Sequence, residues 1–356
     1  SRLLAITSHS LHNTNKLGTN KMARPETWLK VTPKGLFCAP GDFYVDPHSA
    51  VERAIITHGH ADHARPGHGK VLATAETLAI NALRMGQKSA RKAQALAYGE
   101  TIRIGEVDVR LAPAGHVLGS AQVVMEYAGQ RVVVSGDYKR RTDPTCTAFD
   151  VVPCDVFITE ATFALPVFRH PEDTGEIAKL LASVDRNSDR AHVVGVYALG
   201  KAQRVMALLR QAGYDQPFYM HGALQPLSAL YGDFGIELGD LRSVTPENKG
   251  TLAGEIVLAP PGATSDRWSR GLPEPLVAFA SGWMRIRQRA RQRGVDLPII
   301  LSDHADWDEL TATIEEVDAG EVWITHGRDD ALAHYAETRG IRARALSMIG
   351  YEEEDE

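Results

Sequence analysis

The stretch ITHGHADHARPG, residues 56–67, brings His58, His60, Asp62 and His63 within six residues. Imidazole and carboxylate are the ligands that zinc and its first-row neighbours favour. The spacing fits no single helix face, but alternate residues of a tight loop can converge on one centre. His58 and His60 then point to one side, leaving Asp62 and His63 for a second ion. One residue must bridge the two ions, and further ligands must come from elsewhere. The candidates are His116 in PAGHVLGS and Asp137 in VVSGDYK, each just after an apolar run. His68 matches no ligand position and is expected on an exposed loop; His48 is expected to be structural.

These residues need elements to hold them. The short apolar runs RAIITH (53–58), KVLAT (70–74), AQVVMEY (121–127), RVVVSGD (131–137) and DVFITE (155–160) are bounded mostly by Gly, Pro or Asp and read as strands. The chemically suggestive side chains sit where such runs end. After Glu160 the texture changes. Segments 172–187 and 200–212 have helical spacing, and HVVGVYAL (192–199) and EIVLAP (255–260) read as buried strands between helices, the alternation of a parallel α/β unit. Near residue 298 the strand-then-motif style returns with PIILSDH and EVWITHG (321–327). One domain interrupted by another is expected: a disordered leader over 1–22, a first part over 23–165, an insertion over 166–294, a second part over 295–351 and an acidic tail over 352–356.

The chain has 356 residues, 44% hydrophobic and 24% charged, an ordinary globular composition. No apolar stretch is long enough to span a bilayer, and the first apolar run is too short for a signal-peptide core. Cys38, Cys146 and Cys154 cannot all pair, so a reducing cytoplasm is expected. The net charge of −6 owes five acids to the terminal EEEDE, which leaves the rest nearly neutral. Nucleic-acid binding therefore depends on local patches. One is WMRIRQRARQRG (283–294), where Arg285, Arg287, Arg289, Arg291 and Arg293 follow Trp283. Guanidinium groups pair with phosphates and an indole stacks a base, although a solvated basic face has the same composition. Lys201 after Gly200, and Ser281 before Gly282, are weaker candidates for gripping a terminal phosphate.

The ordered series of HxHxDH loop, His116 and Asp137 resembles the motifs of the metallo-β-lactamase fold. Asp46 in FYVDPHS matches the acid on the strand before the loop. The resemblance implies that His58, His60 and His116 hold one metal, that Asp62 and His63 hold a second, and that Asp137 bridges. TEATF (159–163) with Glu160, LSDHADW (301–307) with His304 and ITHG (324–327) with His326 resemble the further motifs of β-CASP nucleases, and YALGKAQR (197–204) resembles part of their inserted domain. That implies a four-layer αββα fold with an inserted β-CASP α/β domain. The wording of WLKVTPKGLFC and FASGWMRIR is similar to the bacterial ligase-associated DNA exonucleases, over roughly Ala23 to Tyr351. His326 stands where some Artemis-type relatives carry an apolar residue, which implies a more fully occupied second metal site.

What the resemblance implies is hydrolysis of DNA phosphodiesters, 5′-to-3′ on single strands, with two divalent ions, zinc and/or manganese. The ion pair would clamp the phosphate and activate a water for in-line attack. His304 would protonate the departing 3′-oxygen, Glu160 would orient that imidazole, and Asp62 and Asp46 would complete the catalytic set. The implied partners are DNA and, functionally, an ATP-dependent DNA ligase and a helicase, with no membrane. An RNA-processing β-CASP ribonuclease is the nearest alternative, because readout of a 2′-hydroxyl cannot be seen in sequence. A small-molecule metallo-hydrolase is disfavoured by the insertion and the His304–Glu160 pair. A binding module with a dead site would have lost ligands, and none is lost.

Overall fold

The computed structural model describes residues 24–327 and 329–346, without the side chain of His326. The expected leader at 1–22 and tail at 352–356 lie outside the described residues. Two sheets pack face to face. The first has six strands in sequence order, Leu29–Thr32, Gly35–Cys38, Phe43–Val45, Arg53–Ile55, His68–Ala73 and Ala90–Ala95, antiparallel at its start and parallel from Phe43 onward. The second has seven, running Arg342–Ala345, Glu321–Gly327, Val156–Ala161, Gln130–Val134, Ala121–Tyr127, Val107–Pro113 and Thr101–Ile104 across the sheet.

Side-chain alternation explains the layers. Along Ala121–Tyr127, Val123 and Met125 enter the core between the sheets, with Phe43, Val45, Ile55 and Leu72 opposite. Val124 points the other way, into a second core with Leu310 and Ile314 of helix Trp307–Glu316 and Leu332 of helix Asp329–Thr338. A strand buried on both faces reads as a continuous apolar run, as AQVVM does. Outside the first sheet, Ala54, Ile56, Val71 and Ala73 pack with Leu78 of helix Ala75–Met85. The result is helix, sheet, sheet, helix.

Helix Trp307–Glu316 begins just after His304, and its start is fixed chemically. The Asp306 carboxylate accepts from the amides of Asp308 and Glu309 while Glu309 accepts from Asp306 N, a reciprocal cap. Asp306 is buried and also takes Arg141 at 3.0 Å. Asp306→Ala should therefore destabilise the fold by about 2 kcal/mol, the upper end for a lost cap. Urea unfolding checks this, and an unchanged midpoint would contradict it.

The third sheet is parallel throughout, in the order Leu241–Ser243, Phe218–Met220, Ile256–Ala259, His192–Gly195, Leu276–Ala280, Leu297–Ile299. Helix Asp173–Arg186 and helix Lys201–Gln211 cover it, as the periodicity at 172–187 and 200–212 predicts. Leu297–Ile299 pairs with Leu276–Ala280, so the return expected at residue 295 falls after Ile299 instead. Ile80 and Leu118 of the first domain sit within the core of this third sheet's helices. The first part of the chain thus contributes two side chains to the core of the inserted unit. This is the four-layer αββα arrangement with an inserted parallel α/β unit that the resemblance to the metallo-β-lactamase and β-CASP motifs implies.

Candidate metal centre at the domain junction

The loop after strand Arg53–Ile55 carries the HxHxDH residues, and two glycines let it close. A Cβ on Gly59 would lie 2.5 Å from Ile80 Cγ2. Gly136, at φ +56°, would bring a Cβ to 2.8 Å from Thr57, so Asp137 can approach the loop only because its neighbour lacks a side chain.

Each histidine is held by one ring nitrogen and offers the other. Thr57 Oγ1 donates to Asp46 Oδ2 at 2.5 Å, so its oxygen is left to accept from His58 Nδ1 at 3.0 Å. His63 Nδ1 donates to the same Asp46 oxygen at 2.8 Å. A carbonyl can only accept, so His60 Nε2 donates to Leu199 O at 3.2 Å and His116 Nδ1 donates to Asp303 O at 2.8 Å. The inward atoms are then His58 Nε2, His60 Nδ1, His63 Nε2 and His116 Nε2, each of which carries a lone pair when its ring is neutral. They meet at Asp137, whose Oδ2 lies 3.3 Å from His63, 3.4 Å from His58 and 3.7 Å from His116. Asp62 Oδ2 is 3.4 Å from His63 Nε2.

This donor set fits divalent cations. Ligand atoms of His58, His60, His116 and Asp137 lie within 4.8 Å of one another, as do those of His58, Asp62 and His63. His116 Nε2 faces His60 Nδ1 at 3.0 Å, close enough for the two nitrogens to share one proton or one cation. His58 Nε2 and Asp62 Oδ1 are buried without a hydrogen-bond partner, which is costly unless something binds there. Burial, with neighbouring imidazoles, holds His58 and His116 well below the ordinary histidine range. Burial also opposes charge on His63, but Asp137 and Asp62 outweigh it and raise that ring well above.

Asp46 sits one layer out from this centre. It is buried, at φ +42°, and engages Thr57 and His63. His304 lies on the other flank, its ring 4.7 Å from that of His116. Its Nδ1 meets Glu160 Oε2 at 2.9 Å, and Glu160 Oε1 takes the amide of Tyr138 at 2.8 Å. His326 lies on strand Glu321–Gly327, beside the strand of Glu160; its side chain lies outside the described residues. His68 corrects an expectation: it is buried, opens strand His68–Ala73, and accepts from Val51 N through Nδ1. The Pro66-Gly67 turn beside it reads as loop, and Lys70, two residues on along the same strand face, is exposed, so no alternation marks the strand's start.

The inserted domain supplies the facing wall. Strands His192–Gly195, Leu276–Ala280 and Leu297–Ile299 end at one rim, where parallel sheets commonly bind ligands. The residues that follow them, Tyr197, Lys201, Ser281, Trp283 and His304, line one cleft with Asp62 and Asp137. Lys201 is buried with Nζ on Asp303 Oδ1 at 2.6 Å. Ser281 Oγ accepts from Trp283 N at 3.3 Å. Trp283 packs against Phe163 and Phe168 and carries Arg289 4.0 Å above its ring. Arg293 lies over Phe279 and Arg285 reaches Val167 O, while Arg287 and Arg291 are exposed. Spacing alone missed Thr57 and the carbonyls of Leu199 and Asp303. Thr57 could have been noticed beside His58, but a main-chain carbonyl leaves no mark in sequence.

Fold and site together define two packed sheets with an inserted parallel α/β unit whose rim faces the candidate metal-ligating loop. No protein-family profile matches the chain. It is 27% identical over 317 residues to an Opitutus terrae protein described as "Probable DNA ligase", covering 88% of this chain and 30% of that one. It is 29% identical over 219 residues to "Endoribonuclease ysh-1" of Neurospora crassa, covering 51% of this chain and 25% of that one. An Arabidopsis thaliana protein, "Cleavage and polyadenylation specificity factor subunit 3-I", is 23% identical over 374 residues, covering 82% and 54%. The chain thus spans under a third of the first two relatives and about half of the third. A solved structure of an Enterococcus faecalis protein of unknown function superposes with a TM-score of 0.56 at 14% identity, covering 85% of this chain and 80% of that one, a likeness of fold. Among the described residues no helix is long and apolar enough to cross a membrane.

Proposed function

We propose that the protein is a divalent-metal-dependent nuclease of the β-CASP type, hydrolysing phosphodiesters of a strand lying between its two domains. The observation that carries this reading is the convergence of inward-facing imidazoles on Asp137 Oδ2, with a Glu160-backed His304 at the edge. In this reading His58, His60, His116 and Asp137 would hold one ion and Asp62 and His63 would serve a second; by resemblance His326 would add to the second. Zinc and manganese both accept this set. When bound, such ions supply charge neutralisation at the phosphate and acidify a water.

The protein's own groups do the rest. Asp46 fixes the Thr57 hydroxyl and His63, keeping two rings in their ligating tautomers. Burial pushes His304 down, but Glu160 and Asp137 outweigh it and raise its pKa to about 10. It is therefore protonated at neutral pH, and with Nδ1 on Glu160 it has Nε2–H to give to a leaving 3′-oxygen. Trp283 offers an aromatic face, and Arg285, Arg287 and Arg291 a basic approach.

In this reading DNA is the favoured polymer, supported by 27% identity over 88% of this chain to a protein described as "Probable DNA ligase". On that reading the enzyme degrades single-stranded DNA from the 5′ end in a repair setting, functionally tied to an ATP-dependent ligase and a helicase in the cytoplasm. The relatives described as endoribonucleases favour RNA as the second reading. Incubation with matched 5′-labelled DNA and RNA decides between them. Faster cleavage of DNA with early release of label supports the first, whereas faster cleavage of RNA, or equal loss of circular single strands, overturns it. Replacing Arg285, Arg287 and Arg291 together by alanine should flatten the salt dependence of strand binding by up to ~2 in log–log slope. A binding titration across salt concentrations reads this, and an unchanged slope would remove these arginines from the strand's path.

A further inference from the structure

Two of the candidate ligands of the first ion are oriented by main-chain carbonyls from the inserted domain and its exit. His60 Nε2 donates to Leu199 O at 3.2 Å, and His116 Nδ1 to Asp303 O at 2.8 Å. Lys201 connects these two points. It stands two residues after Leu199 at the start of helix Lys201–Gln211, and its Nζ donates to Leu301 O at 2.9 Å and Asp303 Oδ1 at 2.6 Å. The ammonium is 2% exposed and the carboxylate 11%, so neither group can exchange its partner for water without moving the segment. The intervening Gly200, at φ +86°, would place a Cβ 2.4 Å from Val117 Cγ1, so this turn also presses on the residue after His116. Lys139 and Arg204 both donate to Ser302 O, pinning the same segment from the other side. A hydrogen bond to the outer nitrogen of a ligating imidazole sets its direction and raises its basicity.

We propose that Lys201 is a positioning residue of the metal centre: paired with Asp303 and joined to Leu199, it sets the orientation of His116 and His60. The inserted domain thereby tunes metal affinity as well as walling the cleft, and metal loading in turn stabilises the docking of that domain. The inference rests on the metal-centre reading above, and the experiment separates the two. Zinc is titrated into the metal-free full chain against a competing chelator, for the unaltered protein and for Lys201→Met, Asp303→Asn and His58→Ala. Melting temperatures are recorded without metal.

The expected result is a loss of zinc affinity of ~10–100-fold in Lys201→Met, and a weaker loss in the same direction in Asp303→Asn, which keeps the carbonyl and one acceptor oxygen. Zinc affinity within about twofold of the unaltered protein in a folded Lys201→Met would overturn the proposal, whatever the melting temperature does, because a purely structural role moves only the latter. Should Lys201→Met fail to fold, Asp303→Asn decides by the same criterion. If the unaltered chain binds no zinc, or His58→Ala binds it as tightly, the metal-centre reading itself fails.

Discussion

His58→Ala and Asp137→Ala should each lose bound metal and nuclease turnover together, by ~10²-fold or more. His58 Nε2 and Asp137 Oδ2 lie 3.4 Å apart at the point where both ligand groups meet. Removing Asp137 takes away the oxygen that approaches three imidazoles, and with it the charge that draws cations to the site. Charge stabilisation by a catalytic ion is worth several kcal/mol, and each 1.4 kcal/mol is tenfold in rate. Metal analysis by mass spectrometry beside single-turnover cleavage measures both quantities. Normal metal content and normal turnover in either variant would place the centre elsewhere.

His304→Ala should separate the two properties. The ring touches Glu160 through Nδ1 and stands beside His116. As a proton donor it contributes ~10²–10⁴-fold to turnover, so turnover should fall by that factor while metal content stays near normal. The pH dependence carries a sign. Glu160 is the largest of the influences that raise the His304 pKa to about 10, and the active form is the protonated one. Activity is therefore kept below that pKa and lost as pH rises through it. Glu160→Gln lowers the pKa, so the alkaline limb of the rate profile should move to lower pH. A limb that stays in place, or loss of both ions in His304→Ala, would make His304 a ligand and overturn the division of roles.

What could be read in sequence was local. AQVVM and VFITE are buried on both faces, and their composition alone marks them as strands. The HxHxDH loop is legible because four ligands share one tight turn. By contrast, Ala90–Ala95 is an edge strand with exposed polar side chains and no apolar alternation, so nothing in ARKAQA signals pairing. Leu297–Ile299 contains Pro298 and is only three residues long; its place in the third sheet comes from its neighbour Leu276–Ala280. Lys201 reads from sequence as a phosphate-gripping amine, but Asp303 lies 102 residues along the chain and pairs with it only in the fold. The same holds for Leu199 O and Asp303 O, whose hydrogen-bonding follows from topology and not from residue type.

The most direct test is cleavage of a 5′-labelled single-stranded DNA by protein stripped with a chelator, dialysed, and then supplied with zinc or manganese. No cleavage before metal addition, cleavage after it, and none in His58→Ala under either metal is the predicted result. Cleavage that persists in the stripped protein, or that His58→Ala retains in full, would contradict a metal-dependent phosphodiesterase at this centre.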